Sequence, residues 1–381
     1  MSSVLFLEEE HEMLRDQVRR FVEEEIKPQA DAWEEDGHVP RAVLRRMGEL
    51  GFFGIRYPEQ YGGAGMDTRA TVVLAEKLGR STYGGVAITA LVHTDMASVH
   101  LFNAGSAAQR DAHMPGVISG ETICAVAITE PGAGSDVKGI RTTARRRGDT
   151  FVLNGSKMFI TNGVLADLYC VAAKTGPEDM PGKNVTMFLV EKGTQGLKVA
   201  TQLDKHGWRS SDTAELVFED CEVPAANILG EEGRGFYAIM RNFQNERLVI
   251  GAMAMGEAQA ALDLTLEHVK TRQAFGAPLW QKQAIRQRMA MLSARVAAAR
   301  QFIYAVAKRD ADGEDVVREV SMIKALCGEL VNEVVYDCQQ FHGGSGLMRG
   351  MAIERMARDV RVQAVGGGAT EVMLEEVAKR L

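Results

Sequence analysis

The sequence is poor in cysteine and has no cysteine motif. Its five cysteines form no Cys-x-x-Cys pair, and each lies among apolar residues: Cys124, Cys170, Cys221, Cys327 and Cys338. Zinc sites and disulfide scaffolds depend on cysteines at short, regular spacings. The pattern therefore argues against both kinds of site, predicts no metal, and fits a reducing compartment.

Long apolar runs and a surplus of basic residues are also missing. No apolar run approaches the roughly 20 residues that span a membrane, and 44 basic residues face 51 acidic ones, for a net charge of −7. This balance disfavours nucleic acid as a partner. The N terminus has Glu8, Glu9 and Glu10, without the basic region of a signal peptide or the Arg-rich composition of a transit peptide. We therefore expect a cytoplasmic protein with no nucleic-acid or membrane partner.

Hydrophobic periodicity indicates helices in the first third and the last third of the 381 residues. In the first part, apolar residues recur at helical spacing over 7–32, 41–50, 68–79, 84–104 and 107–119. In the last part they do so over 236–271, 280–312, 316–341 and 371–381. Helices close to 30 residues long with Ala-rich apolar faces predict an antiparallel bundle.

The middle of the chain differs in character. Short β-branched or aromatic runs, separated by Gly, Pro, Asn and Asp, occur at 123–128, 151–153, 168–173, 185–190 and 214–218. They predict a small antiparallel barrel or sandwich. No Gly-x-Gly-x-x-Gly motif follows a predicted strand, which disfavours a Rossmann nicotinamide site. The predicted fold is multidomain α+β, with a helical N-terminal domain (1–120), a middle antiparallel β-barrel domain (121–231) and a C-terminal helical bundle (232–381).

A glycine loop, Thr-Glu-Pro-Gly-Ala-Gly-Ser-Asp at 129–136, follows the first predicted strand. Gly132 and Gly134 allow positive φ and expose backbone N–H groups, and Ser135 adds a hydroxyl beside them. Such a loop is suited to holding a pyrophosphate. From spacing alone, an ordinary surface turn is as good an interpretation.

A second motif, Phe-Val-Leu-Asn-Gly-Ser-Lys-Met-Phe-Ile-Thr-Asn-Gly at 151–163, alternates apolar and polar residues about Asn154-Gly155. This pattern predicts a β-hairpin with its turn at Asn154-Gly155.

Together the two motifs closely resemble the flavin-contacting strands of the acyl-CoA dehydrogenase family. The resemblance implies that FAD lies against the middle domain, with Thr129 at the flavin ring and Ser135 at the phosphates. Phe159 would cover the ring and Thr161 would bind its N5 edge; family members more often have Trp where Phe159 stands. The same resemblance implies cofactor contacts from Val126, Ile128 and Ile160.

Two further segments, 272–283 and 340–344, resemble parts of the family that reach the flavin nucleotide from a neighbouring subunit. The implied contacts are Arg272, Phe275, Gln283, Gln340, Gly343 and Gly344. A cofactor shared between subunits implies an obligate oligomer, and we expect a homotetramer built as a dimer of dimers. Taken singly, each segment also fits a surface charge or a helix end.

The catalytic base is expected at Glu246. Most family members carry a glutamate in a C-terminal Tyr-Glu-Gly-Thr segment, but here Gly367 occupies that position and Ala369 stands where the family usually has a cofactor-contacting Thr. A minority branch, including isovaleryl-CoA and long-chain acyl-CoA dehydrogenases, places the glutamate on the first helix of the C-terminal domain, where this chain has Glu246. Two alternatives are a surface Glu-Arg dipeptide and a base at Glu371, which we expect instead to contact the cofactor.

The implied reaction is α,β-dehydrogenation of an acyl-CoA thioester to the trans-2-enoyl-CoA, in β-oxidation of fatty acids or in branched or terpenoid acyl-CoA catabolism. Implied substrate contacts are Ser135, Gln244, Arg247 and Gly367, and the implied electron acceptor is electron-transferring flavoprotein. Two alternatives stay open: an acyl-CoA oxidase that uses O2, and a catalytically silent acyl-CoA- or flavin-binding scaffold. Isovaleryl, long-chain and citronellyl-type substrates all agree with the base position.

Overall fold

The structure is a computed structural model that describes residues 6–176 and 183–381. Its N-terminal part is helical: α1 (Glu9–Phe21), α2 (Ala30–Asp36), α3 (Arg41–Glu49), α4 (Thr68–Gly79), α5 (Gly84–Leu91), α6 (Ser98–Ala104) and α7 (Ala107–Ser119). A π-helical turn at Val22–Ile26 follows α1, and another at Val92–Ala97 joins α5 to α6. Four of the predicted helical segments of this part are confirmed, one of them with a π-helical turn. The fifth, 7–32, is divided by a turn at 27–29 into α1 with its π-helical turn and the start of α2.

Local chemistry sets the ends of these helices. Asp67 precedes α4 and accepts a hydrogen bond from the backbone N–H of Arg69 (2.8 Å), and Ser106 precedes α7 and accepts one from Gln109 (3.2 Å). Both are N-caps that satisfy free N–H groups of the first turn. Gly120 ends α7 at φ +76°, where a Cβ would lie 2.5 Å from the carbonyl oxygen of Leu44. Only glycine fits there without a shift of the backbone.

The middle part forms one sheet: β1 (Cys124–Ala127), β2 (Thr143–Arg147), β3 (Thr150–Thr161), β4 (Leu168–Lys174), β5 (Val185–Glu191), β6 (Leu197–Gln202), β7 (Thr213–Pro224) and β8 (Ile228–Leu229). The strand order is β6-β7-β3-β2-β4-β5-β8, and β1 pairs with β4. Most pairings are antiparallel, as predicted. However, β1 and β4 are parallel, and so is the single pair Thr143–Lys174 between β2 and β4. The sheet is therefore mixed rather than purely antiparallel.

The hairpin predicted about Asn154-Gly155 was wrong. Residues 150–161 form a single 12-residue strand, and the pairing with β7 shifts register between Leu153 and Gly155. A Cβ on Gly155 would lie 2.6 Å from Oγ1 of Thr142, so this glycine permits a β-bulge and a close backbone approach. The turn lies instead between β2 and β3, where Arg147 pairs with Thr150 and Gly148 has φ +62°.

The C-terminal part is again helical, with α8 (Gly235–Thr271), α9 (Gln283–Ala311), α10 (Val317–His342), α11 (Ala352–Asp359) and α12 (Thr370–Ala378). A small β-ribbon, β9 (Gln273–Ala274) and β10 (Ala277–Pro278), connects α8 to α9. The four predicted helices are confirmed, whereas α11 was not predicted.

The helix α8 packs closely against α4 of the N-terminal part. A Cβ on Gly79 would lie 2.3 Å from the carbonyl oxygen of Met253, and one on Gly256 would lie 2.1 Å from that of Glu76. Glycine in both helices thus lets the two backbones meet. One hydrophobic core consequently runs through both helical parts, and a second core joins α6, α7 and α8 to β1, β4 and β5.

One segment has the length and apolarity of a membrane span. The continuous helix Gly84–Ala104 has 21 residues and a mean hydropathy of 1.2 over its most apolar window, so the expectation that no segment approaches a span was wrong by these two criteria. However, 94% of that window is buried inside the protein. A helix buried to this extent belongs to the core of the fold described here.

Candidate active site

The carboxyl of Glu246 faces a glycine turn from the end of the chain. Glu246 lies on α8, and residues 366–368 precede α12. A Cβ built on Gly367 would lie 3.6 Å from Oε1 of Glu246 and 2.2 Å from Cδ1 of Ile250. Gly367 also has φ +63°, a conformation that residues with a Cβ rarely adopt. The two expected positions of the base, 121 residues apart in the chain, are therefore adjacent in space.

Burial raises the pKa of Glu246 to about 7, against the opposing positive charges of Arg247 and Lys324. Among the described residues, none donates a hydrogen bond to this carboxyl. A carboxylate gains much of its stability in a protein from such donors. Without them, Glu246 is able to take up a proton near neutral pH.

The neighbouring residue, Arg247, has an unpartnered buried donor. No described residue accepts a hydrogen bond from its Nε, and its guanidinium carbon lies 5.3 Å from the centre of the Phe243 ring. Burial lowers the pKa of Arg247. Buried polar groups normally have partners, so this guanidinium is suited to an anionic or carbonyl group of a ligand.

Lys324 on α10 is a third charged group near Glu246, and sequence reasoning missed it. Its side chain is fully buried, and its ammonium donates a hydrogen bond to the carbonyl oxygen of Gly368. The available signal was its position: Lys324 lies on the apolar stripe of α10, between Val320 at i−4 and Cys327 at i+3, where a charge is unusual.

The π-helical turn Val92–Ala97 connects this region to the sheet. The side-chain amides of Asn242 and Asn245 donate to the carbonyl oxygens of Met96 (3.1 Å) and Asp95 (3.0 Å). On the other side, the backbone N–H of Cys124 in β1 donates to Nδ1 of His93 (3.0 Å). The polar patch at 93–95 is thus satisfied within the core. Single π-helical turns often occur at functional sites, and this one holds β1 and α8 together.

In the middle domain, a buried ion pair braces the glycine loop. Lys157 on β3 donates to Glu130 (2.7 Å) and to the carbonyl oxygen of Ile128 (3.1 Å). Glu130 also accepts the backbone N–H groups of Arg141 (2.5 Å) and Thr142 (3.0 Å). Sequence reasoning missed this pair as well, because only the strand register brings the two residues together. The loop is therefore fixed at its base.

The open side of this loop carries the residues expected at a flavin. Phe159 has φ +60° and is 67% exposed, because pairing with β7 is interrupted between Lys157 and Ile160. Bulges commonly re-aim a side chain in this way beside a binding site. The hydroxyls of Thr129, Ser135 and Thr161 have no hydrogen-bond partner in the described parts of the chain.

These residues fit a flavin. The exposed aromatic ring offers an apolar surface for a planar ring system, and the free hydroxyls supply donors and acceptors. A Cβ built on Gly132 or Gly134 would meet no atom within 4 Å, so the loop is open to a phosphate. Ile128 and Ile160 point into the core rather than outward, and Val126 is half-buried.

The residues expected to act on a neighbouring subunit lie on exposed segments at helix ends: Arg272, Phe275, Gln283, Gln340, Gly343 and Gly344. Arg272 follows the end of α8, 26 residues beyond Glu246, which corresponds to about 39 Å along a helix. The fold of one chain therefore does not bring Arg272 to Glu246. Phe275 is 93% exposed with φ +54°, a costly conformation for an aromatic residue, and the ammonium of Lys282 lies 5.3 Å from the centre of its ring.

The remaining expected residues lie near the glycine turn. Ala369 is the residue before α12, and Glu371 in its first turn is exposed, with its charge acting on Lys324. Gln244 is half-buried on α8, two residues before Glu246.

Comparison with known proteins accounts for nearly the whole chain. Sequence models of the acyl-CoA dehydrogenase N-terminal, middle and C-terminal domains match residues 8–121, 125–221 and 233–381. The mitochondrial long-chain specific acyl-CoA dehydrogenase of Mus musculus is 38% identical over 373 residues, 98% of this chain and 86% of that protein. The mitochondrial isovaleryl-CoA dehydrogenase of Pongo abelii is 37% identical over 369 residues, 96% and 87% of the two chains.

Solved structures agree with this similarity. The acyl-CoA dehydrogenase from Geobacillus kaustophilus matches with a TM-score of 0.95 and 38% identity, covering 99% of each chain. A glutaryl-CoA dehydrogenase from Mycobacterium smegmatis in complex with FADH2 matches with a TM-score of 0.93 and 26% identity, covering 100% of this chain and 96% of that one.

Proposed function

The chain belongs to the acyl-CoA dehydrogenase family, and on that premise we propose that Glu246 is the base that starts the oxidation of an acyl-CoA thioester. The observation that carries the proposal is the position of its carboxyl, 3.6 Å from where a Cβ at Gly367 would lie. In most relatives the glutamate occupies the position of Gly367. In this chain a glutamate on α8 reaches the same place.

The reaction removes two hydrogens from adjacent carbons. A carboxylate oxygen of Glu246 takes the proton from Cα, and the electron pair of that C–H bond becomes the second bond between Cα and Cβ. FAD, the cofactor of this family, supplies the acceptor for the hydride that leaves Cβ. The thioester carbonyl makes the Cα proton removable because it accepts the developing negative charge.

The surroundings of Glu246 suit this step. Its pKa of about 7 lies near neutral pH. A large fraction of Glu246 is therefore ionised there, while its carboxylate is still basic enough to take a proton. Arg247, with its free Nε, is suited to a polar group of CoA, assisted by Gln244 and Ser135. For the cofactor, Thr129, Ser135, Phe159 and Thr161 are the residues that we propose hold FAD.

The test of the base is Glu246→Gln, followed by anaerobic mixing with saturated acyl-CoAs. We expect the flavin band to remain but its bleaching by substrate to slow by at least about 100-fold. The matched control is Glu257→Gln. Glu257 lies on the same helix, and burial raises its pKa to about 8, but it accepts a hydrogen bond from Gln363 (2.8 Å) instead of facing the glycine turn.

Two results are informative here. Loss of bleaching in Glu246→Gln alone supports the assignment, because a raised pKa by itself does not distinguish the two glutamates. Bleaching of Glu246→Gln at the wild-type rate contradicts it, and Glu371→Gln then becomes the variant to examine.

For the substrate we propose a long-chain, branched or terpenoid acyl-CoA. The support is the long-chain and isovaleryl specificity named for two relatives, together with a base on α8. Anaerobic titration with isovaleryl-, palmitoyl- and citronellyl-CoA separates these classes by the substrate that bleaches the flavin at the lowest concentration. Failure of all three would contradict the proposed substrate class.

For the acceptor we propose electron-transferring flavoprotein. Turnover with that protein under nitrogen, and little turnover in air without it, is the expected result. Turnover in air with release of hydrogen peroxide would instead favour the acyl-CoA oxidase.

For the assembly we propose a homotetramer, supported by the exposed group that includes Arg272 and Phe275. Light scattering should give four times 41.6 kDa, and Phe275→Ser should weaken FAD retention while each chain stays folded. A monomer that retains FAD would contradict a cofactor site completed by a second chain.

A further inference from the structure

Lys324 is a buried charge that the proposed reaction does not use directly. Its side chain is fully buried in α10. Burying a lysine there costs free energy unless its charge is paired and hydrogen-bonded. Within the described residues, its ammonium donates a hydrogen bond to one neutral acceptor, the carbonyl oxygen of Gly368. No described carboxylate is bonded to it directly.

That carbonyl places Lys324 beside the base. Gly368 follows Gly367, and Gly367 is the residue against which the Glu246 carboxyl lies. The hydrogen bond from Lys324 to the carbonyl of Gly368 therefore fixes the 366–368 turn, which lies against Glu246. The same ammonium adds a positive charge that acts on Glu246 without a hydrogen bond to it.

In the part of the chain that the structure describes, few other charges act on Glu246 and its neighbours. Arg247 lies next to it on α8, and Glu371 on α12 acts on Lys324. Further out, Glu376 and Arg380 of α12 act on Arg247. From the π-helical turn comes Asp95, which is bonded to Asn245 and paired with Arg56 (3.3 Å).

We propose that Lys324 is a positioning residue for proton abstraction: it fixes the 366–368 turn against Glu246, and its charge keeps a fraction of the base ionised at neutral pH. The proposal rests on the role of Glu246 given above. The separation matters, because an ammonium bonded directly to the carboxylate would stabilise it too strongly for it to act as a base. Acting from across the turn, Lys324 moderates the effect of burial without occupying the oxygen that takes the proton.

The test measures the protonation of Glu246 itself. Infrared difference spectra of the FAD-bound protein are recorded between pH 5 and 9, and the carboxylic C=O band missing in Glu246→Gln is assigned to this residue. That subtraction is needed because burial also raises the pKa of Asp359 to about 7 and of Glu257 to about 8. In Lys324→Met we expect the midpoint of the Glu246 band to rise by about one pH unit or more. The pH midpoint of the acid limb of kcat/KM should shift upward together with the midpoint of the band.

Lys324→Arg is the matched control, because it keeps the positive charge, and its midpoint should stay closer to wild type than that of Lys324→Met. Lys324→Gln provides a second neutral variant should Lys324→Met fail to fold. An unchanged Glu246 midpoint in a folded neutral variant overturns the proposal. The infrared titration does not depend on turnover, so a protein that oxidises no acyl-CoA would refute the proposed function while the effect of Lys324 was still measured.

Discussion

Lys157 in the middle sheet and Lys324 in the helical bundle are both fully buried, and each lies near a glutamate. Lys157 donates directly to Glu130 at 2.7 Å, and burial lowers the pKa of Lys157 to about 8 against the charge of Glu130. Lys324 makes no such bond to Glu246; it donates to the carbonyl oxygen of Gly368. Burial, followed by the charge of Arg247, lowers the pKa of Lys324 to about 8 as well.

The two glutamates respond in opposite directions. Burial alone would raise the pKa of Glu130, but the charge and hydrogen bond of Lys157, together with those from Arg141 and Thr142, hold it below the ordinary value. The pKa of Glu246 is raised to about 7, because burial is opposed only by charges at a distance. A countercharge bonded directly to the carboxylate thus keeps Glu130 a fixed anion in the scaffold, whereas Glu246, which has no bonded countercharge among the described residues, keeps the raised pKa of a base.

The largest expected effect comes from breaking the bonded pair. Lys157→Met leaves the carboxylate of Glu130 buried without its countercharge and should lower the free energy of unfolding by about 3–5 kcal/mol. The measurement is urea denaturation at pH 7. The loop at 129–136 should also loosen, because Lys157 holds its first turn through Glu130 and Ile128.

A matched control is the exposed pair Lys198–Glu219, also 2.7 Å apart. Lys198→Met should change the free energy of unfolding by less than about 1 kcal/mol, as is usual for surface pairs. If both variants lose a similarly small free energy of unfolding, then Lys157 does not stabilise Glu130 as a fixed anion of the scaffold.

The next largest effect is the contribution of Glu246 to the pH dependence of the free energy of unfolding. Because its pKa of about 7 in the folded protein lies above the ordinary glutamate value of 4.5, the folded state binds the proton more tightly. Glu246 therefore contributes stability that is fully present below pH 4.5 and is lost as pH rises through 7. A difference of roughly 2.5 units corresponds to about 3 kcal/mol at most.

Urea denaturation of wild type and Glu246→Gln at pH 5 and pH 8 measures this contribution. Between these two values, wild type should lose more stability than the variant, by up to about 3 kcal/mol. Equal pH dependence in both proteins would indicate a Glu246 with an ordinary pKa, and the contrast with Glu130 would disappear.

Much of the fold was open to prediction from local patterns, and the failures have physical reasons. Helical periodicity located the long helices correctly because α9 and α10 bury mainly one face, although α8 is buried all round over residues 248–258. The pair Asn154-Gly155 is a strong local turn signal, yet the chain uses Gly155 to pass 2.6 Å from Thr142. That contact is set by tertiary packing, which the local sequence does not contain.

The candidate site likewise contains residues that the sequence indicated and residues that it did not. A family motif marked Glu246 and Gly367, and the fold brings them together across 121 residues. The motif at 151–163 contains Lys157 but assigned it no role, and no motif contains Lys324. Each acquires its role from a partner on another segment: Glu130 in the loop after β1, and Gly368 before α12. A lysine on the apolar face of a helix was the signal available for Lys324, whereas the strand pattern around Lys157 contains no such signal.

The smallest expected effect tests the close approach at the glycine turn. Gly367→Ala adds a methyl group at φ +63°, 2.2 Å from Cδ1 of Ile250. The left-handed conformation alone should cost about 1–2 kcal/mol of unfolding free energy, and the turn should shift away from Glu246. Thermal denaturation measures the first effect, and the pH midpoint of the Glu246 infrared band measures the second.

Gly366→Ala is the neighbouring control. Its added Cβ would lie 3.4 Å from Cγ2 of Val362, an ordinary contact, and its φ is not in the left-handed region. Ile250→Val removes the methyl group that Gly367→Ala would meet, so the double variant should recover the part of the loss that comes from the clash and keep the part that comes from φ. If Gly367→Ala is as stable as Gly366→Ala, and the Glu246 midpoint does not move, then residue 367 does not form the wall of the base. The difference between Glu246 and Glu130 would then rest on the charge of Lys157 and the hydrogen bonds that Glu130 accepts.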